Sequence, residues 1–175
     1  MHSVRRKKAR ARATIPDSAR KKRLVLEACL VLLLAAGIYQ MIRPLRAEWH
    51  YRYAKNAVNA IFQKKLDPRK HPEAMRRAVN ELRLGLRLAP SNGEMWACMG
   101  DLLFFAGHFQ ESLNSYKTAL RYFRSPSLYT NLGVAYAKVK KYDKAEEALK
   151  TTLAFFPGHT DAQKALKVVH ALRKQ

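Results

Sequence analysis

Histidine and cysteine are the residues best suited to metal binding or nucleophilic chemistry, and this chain has six of one and two of the other. His2, His50, His71, His108, His159 and His170 are scattered along the sequence, and none shares a metal-ligand spacing with another or with Cys98. Cys29 falls inside a long apolar run and Cys98 stands alone, so both read as small apolar fillers and form no disulfide framework. Lys144, Glu146 and Glu147 lie close together, but on a helix such residues form a solvated face of ion pairs. The sequence has neither a glycine-rich phosphate loop nor a nucleophile elbow. Its residues therefore point to no catalysis, no metal and no cofactor.

The segments that carry these residues are helical throughout. After residue 46 no run alternates like a strand for more than a few residues. Breaks fall at Asp67 to Pro72, Pro90 to Gly93, Gly107-His108, Ser125-Pro126, Lys140-Lys141 and Pro157-Gly158. They cut the chain into amphipathic segments joined by short turns, which is the pattern of helical hairpins. Seven Gly and seven Pro are too few for a fibrous or disordered chain, and 48% hydrophobic residues suffice for a packed core.

Similarity recurs at a fixed spacing. Residues 126–159 read PSLYTNLGVAYAKVKKYDKAEEALKTTLAFFPGH. This resembles the tetratricopeptide repeat: Tyr129, Leu132, Gly133 and Tyr136 stand at the signature positions of a first helix, Ala145 and Leu149 at those of a second, and Pro157 closes the unit. Thr152 departs from the small alanine usual there. Residues 93–125 repeat the pattern with Trp96, Met99, Gly100 and Leu103, then Ser112, Tyr116 and Ala119, one residue short and with the closing proline displaced to Pro126. Residues 47–92 form a divergent repeat. Its second half shows Ala78, Leu82, Gly85 and Pro90, while its first helix, about Ala47 to Lys65, lacks a clear match. Residues 160–174 make one more amphipathic helix, suited to capping the stack. The implied fold is all-α: an α-solenoid over 47–174 with two clear repeats, one divergent repeat and a capping helix.

The resemblance implies a concave groove lined by the first helix of each hairpin, in which peptides lie. Carried over, the groove positions are Glu94, Ala97, Cys98, Asp101 and Phe105 from one repeat and Thr130, Asn131, Val134 and Lys138 from the next. Cys98, Asp101, Phe105, Thr130, Asn131 and Lys138 are the candidate partner-binding residues. Asn131 and Lys138 are placed to hydrogen-bond a peptide backbone or carboxylate, and Phe105 to line an apolar recess. Some relatives clamp a C-terminal carboxylate with Lys, Asn and Arg. Cys98, Asp101 and Val134 stand where that constellation needs other side chains, so this mode is not expected.

Upstream, residues 24–42 read LVLEACLVLLLAAGIYQMI, with Glu27 the one charge. As a helix this run spans roughly 28 Å, about a bilayer's hydrocarbon thickness. Its apolar residues lie on every face, as in a transmembrane helix. Arg20 to Arg23 bound it on one side and Arg43, Pro44 and Arg46 on the other, with Tyr39 and Trp49 as interfacial aromatics. Glu27 lies one turn from the basic cluster, within reach of Arg23. A 23-residue stretch before the run is long for a signal peptide, and Leu45-Arg46-Ala47 is a poor cleavage site, so an uncleaved anchor is expected.

Residues 1–23 carry ten Lys/Arg and one acid, and four Lys/Arg fall in the twenty residues after the run. The positive-inside rule then places a basic, disordered tail (1–23) in the cytoplasm and the repeat domain across the membrane. In a bacterium that means the inner membrane, with a periplasmic domain. The tail suits anionic headgroups; it lacks the interleaved aromatics of a nucleic-acid binder. The expected function is a membrane-tethered scaffold that binds a protein or peptide, in envelope assembly or secretion. The balance of +13 over residues 43–175, 24 Lys/Arg against 11 Asp/Glu, supports an alternative, a basic domain holding a polysaccharide or anionic lipid. A third reading is an organellar import or assembly receptor.

Overall fold

The computed structural model describes residues 17–174. Among them are seven α-helices: α1 (Asp17–Phe62), α2 (Pro72–Leu88), α3 (Gly93–Phe105), α4 (Phe109–Leu120), α5 (Pro126–Lys138), α6 (Tyr142–Phe155) and α7 (Thr160–Arg173). No described residue is in a strand. The chain divides into two compact units, Met1–Ile42 and Arg43–Gln175.

In the first unit, α1 is helical from Asp17, seven residues before the apolar run. Residues 17–23 are thus the opening turns of a helix and not tail; residues 1–16 of the expected tail lie outside the described residues. Leu24, Leu30, Leu33, Ile38 and Met41 point outward on all sides, and none of the most apolar stretch is covered by the rest of the protein. Among the described residues this is the one helix long and apolar enough to cross a membrane. Arg23 Nε donates to Glu27 Oε1 at 2.8 Å, the local pairing that the spacing of four allows.

The expected stop at Pro44 does not occur: α1 continues to Phe62. A proline removes one intrahelical hydrogen bond, here the one to the carbonyl four residues back. That loss is local, and the residues after it are held by packing. Ala47, Tyr51, Ala54, Val58 and Ile61 recur at three- and four-residue steps and are all buried. This stripe meets Met75, Ala78, Leu82 and Leu86 of α2 and Met95, Cys98, Met99, Leu102 and Leu103 of α3. His50 Nδ1 and Glu81 Oε2 hydrogen-bond across the same contact at 2.6 Å.

Beyond the second part of α1 and α2, the second unit continues as a row of antiparallel hairpins, α3 with α4 and α5 with α6, ended by α7. In each hairpin a glycine lets the helices cross closely. A Cβ on Gly100 would lie 2.4 Å from the Tyr116 ring, and one on Gly133 would lie 2.7 Å from Leu149. Ser112 Oγ donates to the Gly100 carbonyl at 2.8 Å, so the crossing leaves its buried hydroxyl satisfied. Trp96 bridges the two halves of the core and donates Nε1 to the Pro90 carbonyl at 2.8 Å.

Helix starts are set locally. Asn92 accepts from the Met95 N–H, Ser125 from Leu128 with Pro126 at the first helical position, and His159 Nδ1 from Ala162. The α3–α4 turn uses Gly107 at φ +85°, whereas the α5–α6 turn puts Lys140 at φ +60°. At the end of the stack, Glu146 of α6 takes Lys150 at 2.7 Å and Arg173 of α7 at 3.2 Å. The Lys150 hydrogen bond, with His170 nearby, holds the Glu146 carboxyl below its usual range.

A concave groove lined by alternate helices

Tyr51, Lys55, Val58 and Phe62 follow one another at steps of four, three and four on α1. Glu94, Ala97, Cys98 and Asp101 occupy one face of α3, and Ser127, Thr130 and Asn131 one face of α5. Together with Asn59, His159 and Asp161 they line a single open concavity of about 680 Å³. Alternate helices build it because each hairpin turns its first helix inward.

Four of the six candidate residues, Cys98, Asp101, Thr130 and Asn131, come together here. Phe105 lines an adjoining recess of about 150 Å³ with Phe62, Phe104, Tyr116 and Val134, which shares Asp101 and Asn131 with the groove. Phe105 also meets Phe62 edge to face, 5.2 Å between centroids. Lys138, exposed in the last turn of α5, lines neither cavity. Residues not foreseen as groove walls are Tyr51, Lys55, Val58, Asn59 and Phe62 of α1, Phe123 and Ser125 between α4 and α5, Ser127 of α5, and His159 and Asp161 at α7. The helical spacing on α1 was the available signal; it lacked the signature residues that would have aligned it with the other first helices.

The polar groups are largely committed to one another. Asp101 Oδ1 accepts from Tyr116 Oη at 2.7 Å and from Asn131 Nδ2 at 3.0 Å, tying α3, α4 and α5 together. Burial pushes the Asp101 carboxyl up to about 6, with these two donors opposing the shift. Tyr116 is raised by burial and by the same carboxylate. Thr130 Oγ1 donates to the Pro126 carbonyl at 2.9 Å. Tyr51 donates to Glu94 Oε2 at 3.2 Å and lies under the Lys55 ammonium, 5.2 Å from the ring centroid. Burial pushes the Cys98 thiol up to about 12, so it stays protonated and a poor nucleophile at neutral pH. Among the described residues no three His, Cys, Asp or Glu side chains are grouped to hold a metal. The arrangement offers a surface for an extended chain to lie along.

This is the fold of a tetratricopeptide solenoid, and residues 126–154 match the tetratricopeptide repeat. Solved structures with the same fold include the TPR domain of Arabidopsis OM64, at 16% identity and a TM-score of 0.61, over 73% of this chain and 96% of that one. The first TPR of Spaghetti (RPAP3), bound to the HSP90 peptide SRMEEVD, gives 15% identity and a TM-score of 0.62, over 75% of this chain and 95% of that one. A TPR protein of Thermus thermophilus gives 18% identity and a TM-score of 0.58, over 68% of this chain and 62% of that one. None of the curated proteins matches the chain.

Proposed function

We propose that this protein is a membrane-tethered scaffold that takes a protein or peptide segment into the groove between α1 and α7 and performs no reaction on it. The observation that carries this reading is the groove itself: four helices contribute inward faces to one open cavity of about 680 Å³. The peptide held by Spaghetti supports it, since that domain has the same fold. The outward apolar residues of α1 from Leu24 to Ile42 supply the tether. Tethering confines the partner to the neighbourhood of the bilayer and raises its effective concentration there. The basic residues before the helix keep the N-terminus cytoplasmic, and the repeats stand on the opposite face, periplasmic in a bacterial inner membrane. Envelope assembly or secretion is the process such a tether serves.

A photo-crosslinking residue at Asn59, inside the groove, tests the reading in living cells. Asn59 is expected to trap a discrete protein partner, while the same residue at Lys144, on the exposed face of α6, does not. Equal yields at both positions would contradict a groove-bound partner. Orientation is read with Lys144→Cys in a Cys29→Ser background, because Cys98 is too buried to be labelled. In bacterial cells an impermeant thiol reagent that crosses the outer membrane is expected to modify it; protection until the inner membrane is opened would place the domain in the cytoplasm.

A further inference from the structure

The unit from Arg43 onward holds 24 Lys/Arg and 11 Asp/Glu. One of those cations, Lys55, lines the groove, against three of the acids: Glu94, Asp101 and Asp161. His159 Nδ1 accepts from the Ala162 N–H at 3.3 Å. Lys55 is drawn over the Tyr51 ring. The groove is therefore acidic inside a strongly basic molecule. The carboxylates come from α3 and α7 and stand along the cavity wall. Beside them, sharing Asp101 and Asn131, opens the aromatic recess formed by Phe62, Phe104 and Phe105. The recess presents mostly apolar surface, suited to one aliphatic side chain.

We infer that the groove selects a basic segment of its partner, seating a Lys or Arg side chain among Glu94, Asp101 and Asp161 with a neighbouring aliphatic residue in the Phe62–Phe104–Phe105 recess. The inference rests on the reading of the groove as the partner site and adds the sign and kind of side chain it takes. Charge complementarity decides partner choice more than it decides raw affinity. An acidic segment, such as the Glu-Glu-Val-Asp ending of the peptide on Spaghetti, would meet like charge here. The cations outside the groove make the preference diagnostic. Over the whole surface, a chain of net charge +21 repels a basic peptide and attracts an acidic one. A preference for the basic peptide can arise only from a local field of the opposite sign.

The test uses the full chain in phosphatidylcholine nanodiscs and three fluorescent peptides of one Leu-Xaa-Ala repeat, with Xaa Arg, Gln or Glu. The Arg peptide is expected to bind about tenfold tighter than the Gln peptide near physiological salt, and less so as salt rises. Glu94→Gln with Asp161→Asn, both exposed and outside the core, is expected to abolish that preference. Asn59→Trp, which fills the groove, is expected to block binding altogether. An Arg-over-Gln preference that survives the Glu94/Asp161 pair of substitutions overturns the inference. So does tighter binding of the Gln or Glu peptide that Asn59→Trp blocks, although the groove then remains a peptide site. If no peptide shows binding that Asn59→Trp removes, the inference and the groove reading fail together.

Discussion

Helix α1 contains two stretches of similar length and opposite surroundings. From Leu24 to Ile42 its large apolar residues occur on every face and are exposed, Leu33 at 70%. From Ala47 to Ile61 one stripe of apolar residues is buried, Ala54 completely, while Trp49 and Tyr53 stand outside it. The second stretch follows the rule for a helix on a protein core: one buried apolar face, with Glu48, Arg52, Lys55, Asn56 and Asn59 on the exposed side. The first offers water no polar face at all. The proposed tether fits that composition, because in a bilayer every face meets hydrocarbon and the backbone is satisfied within the helix. The two stretches thus differ in the periodicity of their apolar residues.

The largest effect should come from making the first stretch polar. Replacing Leu32 and Leu33 by Arg costs about 6–8 kcal/mol of insertion, roughly 3–4 per Leu-to-Arg change at a helix centre. Alkaline carbonate extraction of membranes is expected to release this variant and to leave the wild-type chain in the pellet. Next in size is a matched pair of truncations. Ile61→Ala removes a buried side chain and is expected to lower the urea stability of the repeat domain by about 2–4 kcal/mol. Ile38→Ala, in the exposed stretch, should leave that stability unchanged. Equal effects from the two would erase the distinction between the stretches.

A third test separates the two stretches by pH. Asp101 has a folded-state pKa of about 6, above its ordinary value of 3.8. The folded state therefore holds this proton more tightly than the unfolded chain does. The stability it contributes is complete below the unfolded pKa and is lost as pH rises through about 6, an order-of-magnitude change of about 2–3 kcal/mol. Asp101→Asn keeps an acceptor for Tyr116 and Asn131 and should flatten that part of the profile in urea unfolding between pH 4 and 7. Membrane extraction should not respond to either change. The smallest expected effect is at the α5–α6 turn. Lys140→Gly relieves a left-handed lysine and should stabilise the domain by about 0.5–1 kcal/mol in thermal unfolding. At Gly107 the equivalent turn already has this solution.

The hairpins were legible in the sequence because their crossings leave little freedom. Gly100 opposite Tyr116 and Gly133 opposite Leu149 recur at nearly one repeat's spacing, since each crossing needs a missing Cβ on one helix and a large side chain on the other. The course of α1 through Pro44 was not legible. A proline flanked by arginines reads as a stop, and only the tertiary packing of Ala47 onward carries the helix past it. Part of the groove was legible through Cys98, Asp101, Thr130 and Asn131. Its α1 wall was hidden, because Tyr51, Lys55 and Asn59 carry no repeat signature. The internal bonding of Asp101 with Asn131 was hidden too: they lie thirty residues apart, and only the folded stack brings them within 3.0 Å. Lys138 shows the reverse case, a residue that repeat alignment carries into the groove and the helix end leaves outside it.

The contrast within α1 is tested most directly by spin labels at two positions on the chain in liposomes, in a Cys29→Ser background. With the label at Leu33→Cys, power saturation should show high accessibility to oxygen and little to a polar nickel chelate. With the label at Asn56→Cys, on the exposed side of the second stretch, the ranking should reverse. Equal access of the nickel chelate to both positions would contradict a membrane-spanning first stretch, and the tether with it.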